Sequence, residues 1–137
     1  MTKVEALLAQ IGDPEDDSTP AYDLVAELSE ADQALVPELK MALWNFLKTQ
    51  NFYGRDILAD ALAAVQGIEA LPALLKVSTY DLGDDQDTLQ STIIDVMSLD
   101  TDRARVILDE LDASDDAKLR EVSKWAREMA DSFLDNE

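Results

Sequence analysis

Residues 68–76 read IEALPALLK, residues 80–85 read YDLGDD, and residues 87–97 read DTLQSTIIDVM. In the first run Ile68, Leu71, Leu74 and Leu75, followed by Val77, recur at the three-and-four spacing of one helical face. Pro72 stands early in that run, where a helix tolerates a residue without an N–H. In the last run Leu89, Ile93, Val96 and Met97 repeat the spacing. The segment between them, with Gly83 and its aspartates, carries the chemistry of a turn. The predicted unit is helix, short acidic turn, helix, with one apolar stripe on each helix.

The same unit recurs on both sides. Asp56-Ile57-Leu58 through Val65 matches Asp87-Thr88-Leu89 through Val96, about 31 residues on, and Gly83-Asp84-Asp85 matches Ser114-Asp115-Asp116 at the same offset. Leu35-Val36-Pro37-Glu38-Leu39-Lys40 echoes Ala70-Leu71-Pro72-Ala73-Leu74-Leu75-Lys76. A lone unit cannot bury its stripe, so neighbouring units are expected to stack. Before the first unit, Val4, Leu7, Leu8 and Ile11 predict a short helix stopped by Gly12. An acidic loop GDPEDDSTP follows, and Tyr22, Leu24, Val25 and Leu28 predict a second short helix. Ser29 reads as a cap, and so does Asp100 or Thr101. Leu35 to Leu47 predicts a longer helix with Pro37 in its first turn, and residues 49–54 predict a loop. Leu119, Val122, Trp125, Ala126, Met129 and Phe133 predict one face of a long last helix starting near Ser114.

Composition agrees with an all-α chain. Hydrophobic residues make up 47% of the 137, and Gly and Pro number only four each, which is ample for a core and poor in helix breakers. The length points to a single domain, 1–137. The formal charge is −19, from 30 acids against 11 bases. A charge of that sign repels phosphate backbones and anionic membrane surfaces, so neither nucleic acid nor membrane is expected as a direct partner. It suits a basic protein partner met by fast, salt-sensitive association. Solubility alone is the plainer account of the same charge.

There is no cysteine and no histidine. Thiolate nucleophiles, Cys-based zinc and iron–sulfur sites, and histidine as base or ligand are therefore excluded. No familiar catalytic triad can form without His or Cys, and no phosphate-binding glycine loop is present. Paired carboxylates could serve as acid and base, but here they sit mostly at turns, where nothing raises their pKa. No catalytic residue, cofactor or metal ligand is therefore assigned. The first residues carry an acid and no long apolar run, so no secretory leader is expected. No stretch is expected to supply the roughly 20 apolar residues of a membrane span. The expected setting is the cytoplasm.

Ile68 through Lys76, then Asp84-Asp85, then an apolar helix, resembles the HEAT repeat. The likeness is to its short bacterial form, also seen in phycobilisome-lyase-like proteins. The resemblance covers residues 30–134 as three pairs: 30–66, 68–98 and 101–134, with 1–28 as an N-terminal helical cap. The third pair lacks the family's early Pro, with Arg103 near its place, and acids replace the basic residue that usually opens the second helix. The implied fold is an α-α superhelix, a right-handed stack of helix pairs.

Three acidic clusters remain: Asp13, Glu15, Asp16 and Asp17; Asp81, Asp84, Asp85 and Asp87; and Asp109, Glu110, Asp112, Asp115 and Asp116. None has the alternating acids, Gly and later Glu of a calcium loop. Taken singly, each is accounted for by the preference of Asp for helix starts. In a stacked solenoid, however, the turns at 81–87 and 112–116 are expected to align into an acidic ridge. Such a ridge either meets a basic protein or is a solvated rim. The opposite island, Leu39 to Arg55, has Lys40, Lys48 and Arg55 without an acid. It also holds Phe52 and Tyr53 in the expected loop, as a binding hot spot or as a lid folded over a repeat junction. Small acidic HEAT-like proteins are similar to bacterial immunity proteins, which block a toxin, often a nuclease. The function this resemblance implies is a non-catalytic inhibitor of a basic protein. A scaffold or adaptor for complex assembly is the alternative. A bilin-lyase-like enzyme ranks below both, since no Cys or His is available to handle the chromophore.

Overall fold

The computed structural model describes residues 3–11, 19–83 and 86–133. Among them every regular element is helical: α1 (Lys3–Ile11), α2 (Thr19–Ala26), α3 (Val36–Lys48), α4 (Phe52–Gln66), α5 (Leu71–Ser78), α6 (Asp87–Leu99), α7 (Thr101–Asp112) and α8 (Ala117–Phe133). Two 3₁₀ turns, Glu30–Leu35 and Gly67–Ala70, lead directly into α3 and α5. Pro37 and Pro72 both fall in the first turn of their helices, as expected, where the missing N–H costs nothing. The acidic loop after α1, with Asp13, Glu15, Asp16 and Asp17, lies outside the described residues.

The chain forms two compact units, 1–66 and 67–137. In the first, α1 packs on α2, α2 on α4, and α3 on α4. Leu39, Leu43 and Leu47 of α3 and Ile57, Leu58, Leu62 and Val65 of α4 are buried. Burial of each such side chain is worth about 1.5–3 kcal/mol, which outweighs the weak propensity of any single short helix. In the second unit α5 packs on α6 and α7 on α8, and α8 also meets α5 and α6. Its core is Leu71, Leu74 and Leu75 of α5, Leu89, Ile93, Val96 and Met97 of α6, and Ile107 and Leu108 of α7.

Caps set the element boundaries. Ser29 accepts from the Ala31 N–H while Asp32 accepts from the Ser29 N–H, a reciprocal capping box. Asp100 caps α7 by accepting from the Arg103 N–H at 3.0 Å. Gly67 ends α4 at φ +60, a conformation other residues adopt only with strain. That break also divides Phe52–Ser78, a stretch long and apolar enough to cross a membrane by length and composition. The sequence had not led us to expect such a stretch. Half of its most apolar window is buried within the fold.

Two expectations are corrected. The loop between α3 and α4 is shorter than residues 49–54, because Phe52, Tyr53 and Gly54 already belong to α4. Gln50 takes the left-handed conformation (φ 58), letting Gln50 N–H reach Leu47 O and Asn51 N–H reach Phe46 O. That pattern closes α3 within two residues. The Asn51 carboxamide then accepts from the Gly54 N–H and starts α4 at once. In α8 the expected face is buried at Ala126, but the large residues described beside it are not the deepest. Ser123, Ala126 and Ala130 are buried, while Leu119, Val122, Trp125 and Met129 flank them half-exposed. Small side chains there let α7 and α8 approach closely.

Candidate functional site

The residues expected to bind a partner do not share one environment. Phe52 and Tyr53 stand in the first turn of α4, with Phe52 49% exposed and Tyr53 half-buried. They are therefore held on a helix end and do not form a loop lid. In the second unit Asp81, Asp87, Asp112 and Asp115 are exposed, and Asp116 is half-exposed. Asp84 and Asp85 lie outside the described residues.

A base ties the end of α5 to the turn before α8. Lys76, in the last turn of α5, reaches Asp116 in the turn before α8 at 2.6 Å. The other oxygen of Asp116 accepts from the N–H groups of Lys118 and Leu119 and caps α8. The lysine partner first, and the Leu119 N–H next, hold the Asp116 carboxyl below the usual carboxylate range. Asp112 is likewise committed to the fold. It lies 3.0 Å from the buried Ser123 hydroxyl and 3.1 Å from Arg127. Asp81 shapes its own turn by accepting from the Gly83 N–H at 2.8 Å. These acids thus divide into braces of the fold, Asp112 and Asp116, and exposed acids, Asp81, Asp87 and Asp115.

Bases elsewhere are spent in the same way. Lys3 pairs with Asp32, Arg103 with Glu69, Arg105 with Asp131, and Arg127 with Asp109 as well as Asp112. Each joins different elements. Exposed pairs of this kind add little stability, but they remove positive charge from the surface. From Val77 to Asp102 the chain holds Asp81, Asp84, Asp85, Asp87, Asp95, Asp100 and Asp102 without one Lys or Arg.

Two features escaped sequence reasoning. Arg55, expected on a basic island, is fully buried, and its guanidinium holds Asp56 at 2.8 and 3.0 Å. The only hint was its place one residue before Asp56 at the start of an apolar stripe. The second is Tyr80, which is 40% exposed just past α5. In the sequence it marks only a break between helices.

The Asp32 carboxyl is lowered by the Ser29 N–H and then Lys3, and that of Glu69 by Arg103, the direction opposite to the one a general acid needs. Burial, then the carboxylates of Asp60 and Asp56, pushes the Tyr22 phenol up. Among the described residues no three acidic side chains gather as a metal-ligand set. A small open pocket of about 260 Å³ lies between Leu8 of α1 and Ala42, Asn45, Phe46 and Thr49 at the end of α3. It holds none of the acids. Comparison with protein-family models, with curated proteins and with solved structures finds no match for this chain.

Proposed function

We propose that this chain is a non-catalytic binding module that docks a basic protein against the acidic turns of its second unit. In this reading it acts as an immunity or inhibitor protein, neutralising a partner such as a nuclease toxin. The observation that carries it is the division of charge. Lys3, Arg55, Lys76, Arg103, Arg105 and Arg127 are each paired with an acid, while Asp81, Asp87 and Asp115 are exposed at the turns of the second unit. A surface of one sign raises encounter rates with the opposite sign and repels competitors.

The HEAT-like fold is part of the same proposal. Its support is the packing of α5 and α6 on α8 and of α7 on α5, which sets the pair 68–98 against the pair 101–134. Such a stack presents its turns along one edge. Scaffold function is the second reading. It is favoured by apolar side chains left exposed on separate helices, Met41 at 72% and Leu99 at 65%.

Affinity capture with the full chain, followed by binding kinetics on the recovered partner at two salt concentrations, tests the proposal. The expected partner is basic, and its association rate falls steeply with salt. The triple variant Asp81→Asn, Asp87→Asn, Asp115→Asn is expected to slow association roughly tenfold and flatten the salt dependence, with dissociation little changed. Asn keeps an acceptor oxygen at each position, so the turns are preserved. An unchanged association rate and salt slope would reduce the acids to a solvated rim.

A further inference from the structure

We infer that the pocket between α1 and α3 docks an amphipathic helical segment of a protein partner, which seats one bulky apolar side chain in the pocket and sets one carboxylate against Lys48. This face belongs to the first unit, so the inference does not rest on the acidic turns of the second. Leu8 of α1 and Ala42 and Phe46 of α3 line a space of about 260 Å³, with the exposed Asn45 and Thr49 completing it. An apolar cavity of about 150 Å³ accepts benzene, so a phenylalanine or leucine side chain fits. Ala42, Asn45, Phe46 and Thr49 follow the three-and-four spacing of one helical stripe. Met41, Asn45 and Lys48 form the stripe beside it. Met41 is 72% exposed, and its unbranched, polarizable chain adapts to an irregular apolar surface laid over it.

Charge at this face selects the partner. From Leu39 to Arg55 the chain holds no acid, although it holds 30 elsewhere. Arg55 is spent inside the fold on Asp56. Lys48 is exposed, and among the described residues no acid pairs with it. At physiological salt, exposed charges farther apart than about 8 Å are largely screened. A carboxylate set against Lys48 therefore feels that base more than the net charge of −19. A partner rich in acids is repelled by the chain as a whole, whereas one acid beside an apolar residue is not. Asn45 and Lys48 are three residues apart, about 4.5 Å along the helix axis, so the partner's carboxylate lies one helical turn from its apolar residue. Burial of that residue supplies most of the affinity. The ion pair supplies the preference for an acid.

The test uses the full-length, isotope-labelled protein and capped alanine-based helical peptides that carry one phenylalanine, with glutamate four residues to each side of it. Counterparts replace both glutamates by glutamine or by lysine, or the phenylalanine by alanine. Affinities come from amide shift titrations at physiological salt. The glutamate peptide is expected to bind roughly two- to fivefold more tightly than the glutamine one, with shifts centred on residue 8 and residues 41–49. Loss of the phenylalanine is expected to weaken binding at least about tenfold. Net charge alone predicts the reverse order, lysine above glutamine above glutamate, so that order overturns the inference. Lys48→Gln is expected to erase the preference for glutamate and leave the glutamine peptide's affinity unchanged. Because Lys48 is exposed, the circular dichroism of this variant should match the parent. A preference that survives Lys48→Gln, shifts centred on other residues, or no shifts at about 1 mM peptide each overturn the inference. So does a concentration-dependent dimer with shifts at the same residues, which would make a second copy of this chain the occupant.

Discussion

Gly54 offers a sharp test of how the first unit is packed. An ideal Cβ built on it falls 2.6 Å from Cγ and Cδ1 of Phe46 and 2.7 Å from Cδ2. Carbon atoms in contact prefer about 3.5–4.0 Å, so the ring lies against the Gly54 backbone and Gly54→Ala overlaps it by about an ångström. Phe46 is only half-buried and can swing partly aside. The expected overpacking cost is therefore in the usual range of about 1–3 kcal/mol. Replacing Gly by Ala inside a helix returns up to about 1 kcal/mol, and less in a first turn. The net expectation for Gly54→Ala is a loss of about 1–2 kcal/mol. In a Phe46→Ala background, which removes Cγ and both Cδ atoms, the obstacle is gone, and the same substitution should be neutral or stabilising by up to about 1 kcal/mol. The coupling between the two sites should then reach about 2 kcal/mol. Trp44 lies in the first unit and Trp125 in the second. Urea titrations followed by Trp44 fluorescence in a Trp125→Phe background thus place the probe in the first unit. If Gly54→Ala is as stable as its parent there, or if the two substitutions are additive, the close approach of α3 and α4 at Gly54 is wrong.

Two further outcomes concern the folded chain as a whole. Leu62→Ala and Leu75→Ala, both at positions with no solvent exposure, should each cost about 2–5 kcal/mol in urea denaturation. A loss under about 1 kcal/mol at both would place the stripes elsewhere. The carboxyls of Asp32, Glu69 and Asp116 are all depressed in the fold. Their stabilisation is therefore complete above the ordinary carboxylate range, near pH 4, and is lost as pH falls through the folded values. The urea midpoint should hold from pH 7 to about 5 and fall below about 4. A midpoint that climbs steadily to pH 3 would mean that relief of the −19 charge outweighs these pairs.

Local rules made the helices legible, and close contacts made the rest illegible. Pro37 and Pro72 belong in first turns whatever surrounds them, and Ser29 and Asp100 cap because their short side chains reach the next N–H groups. Placing Phe52 and Tyr53 in a loop failed because no propensity announces that Gln50, a non-glycine residue, will take the left-handed position that closes α3 early. On α8 the periodicity finds the buried Ala126 but passes over Ser123 and Ala130, because large apolar residues dominate such a count. Among the site residues, exposure could be anticipated for Asp81, Asp87 and Asp115. That Asp112 and Asp116 are braces depended on Arg127, Ser123 and Lys76, which lie 15, 11 and 40 residues away. Pairings at that separation leave no mark in a local pattern.

The order in which helices pack has a kinetic consequence. Along much of the chain an element meets the one just before it: α2 meets α1, α4 meets α3, α6 meets α5, and α8 meets α7. Closing each of these contacts sacrifices the entropy of only a short loop. Chains built from such near-neighbour closures reach the native state in microseconds to milliseconds. During synthesis the hairpin of α3 and α4 can form while α8 is still inside the ribosome. A half-made chain of this kind shields its leucines early, and that protects a nascent protein from aggregation as its remaining helices emerge.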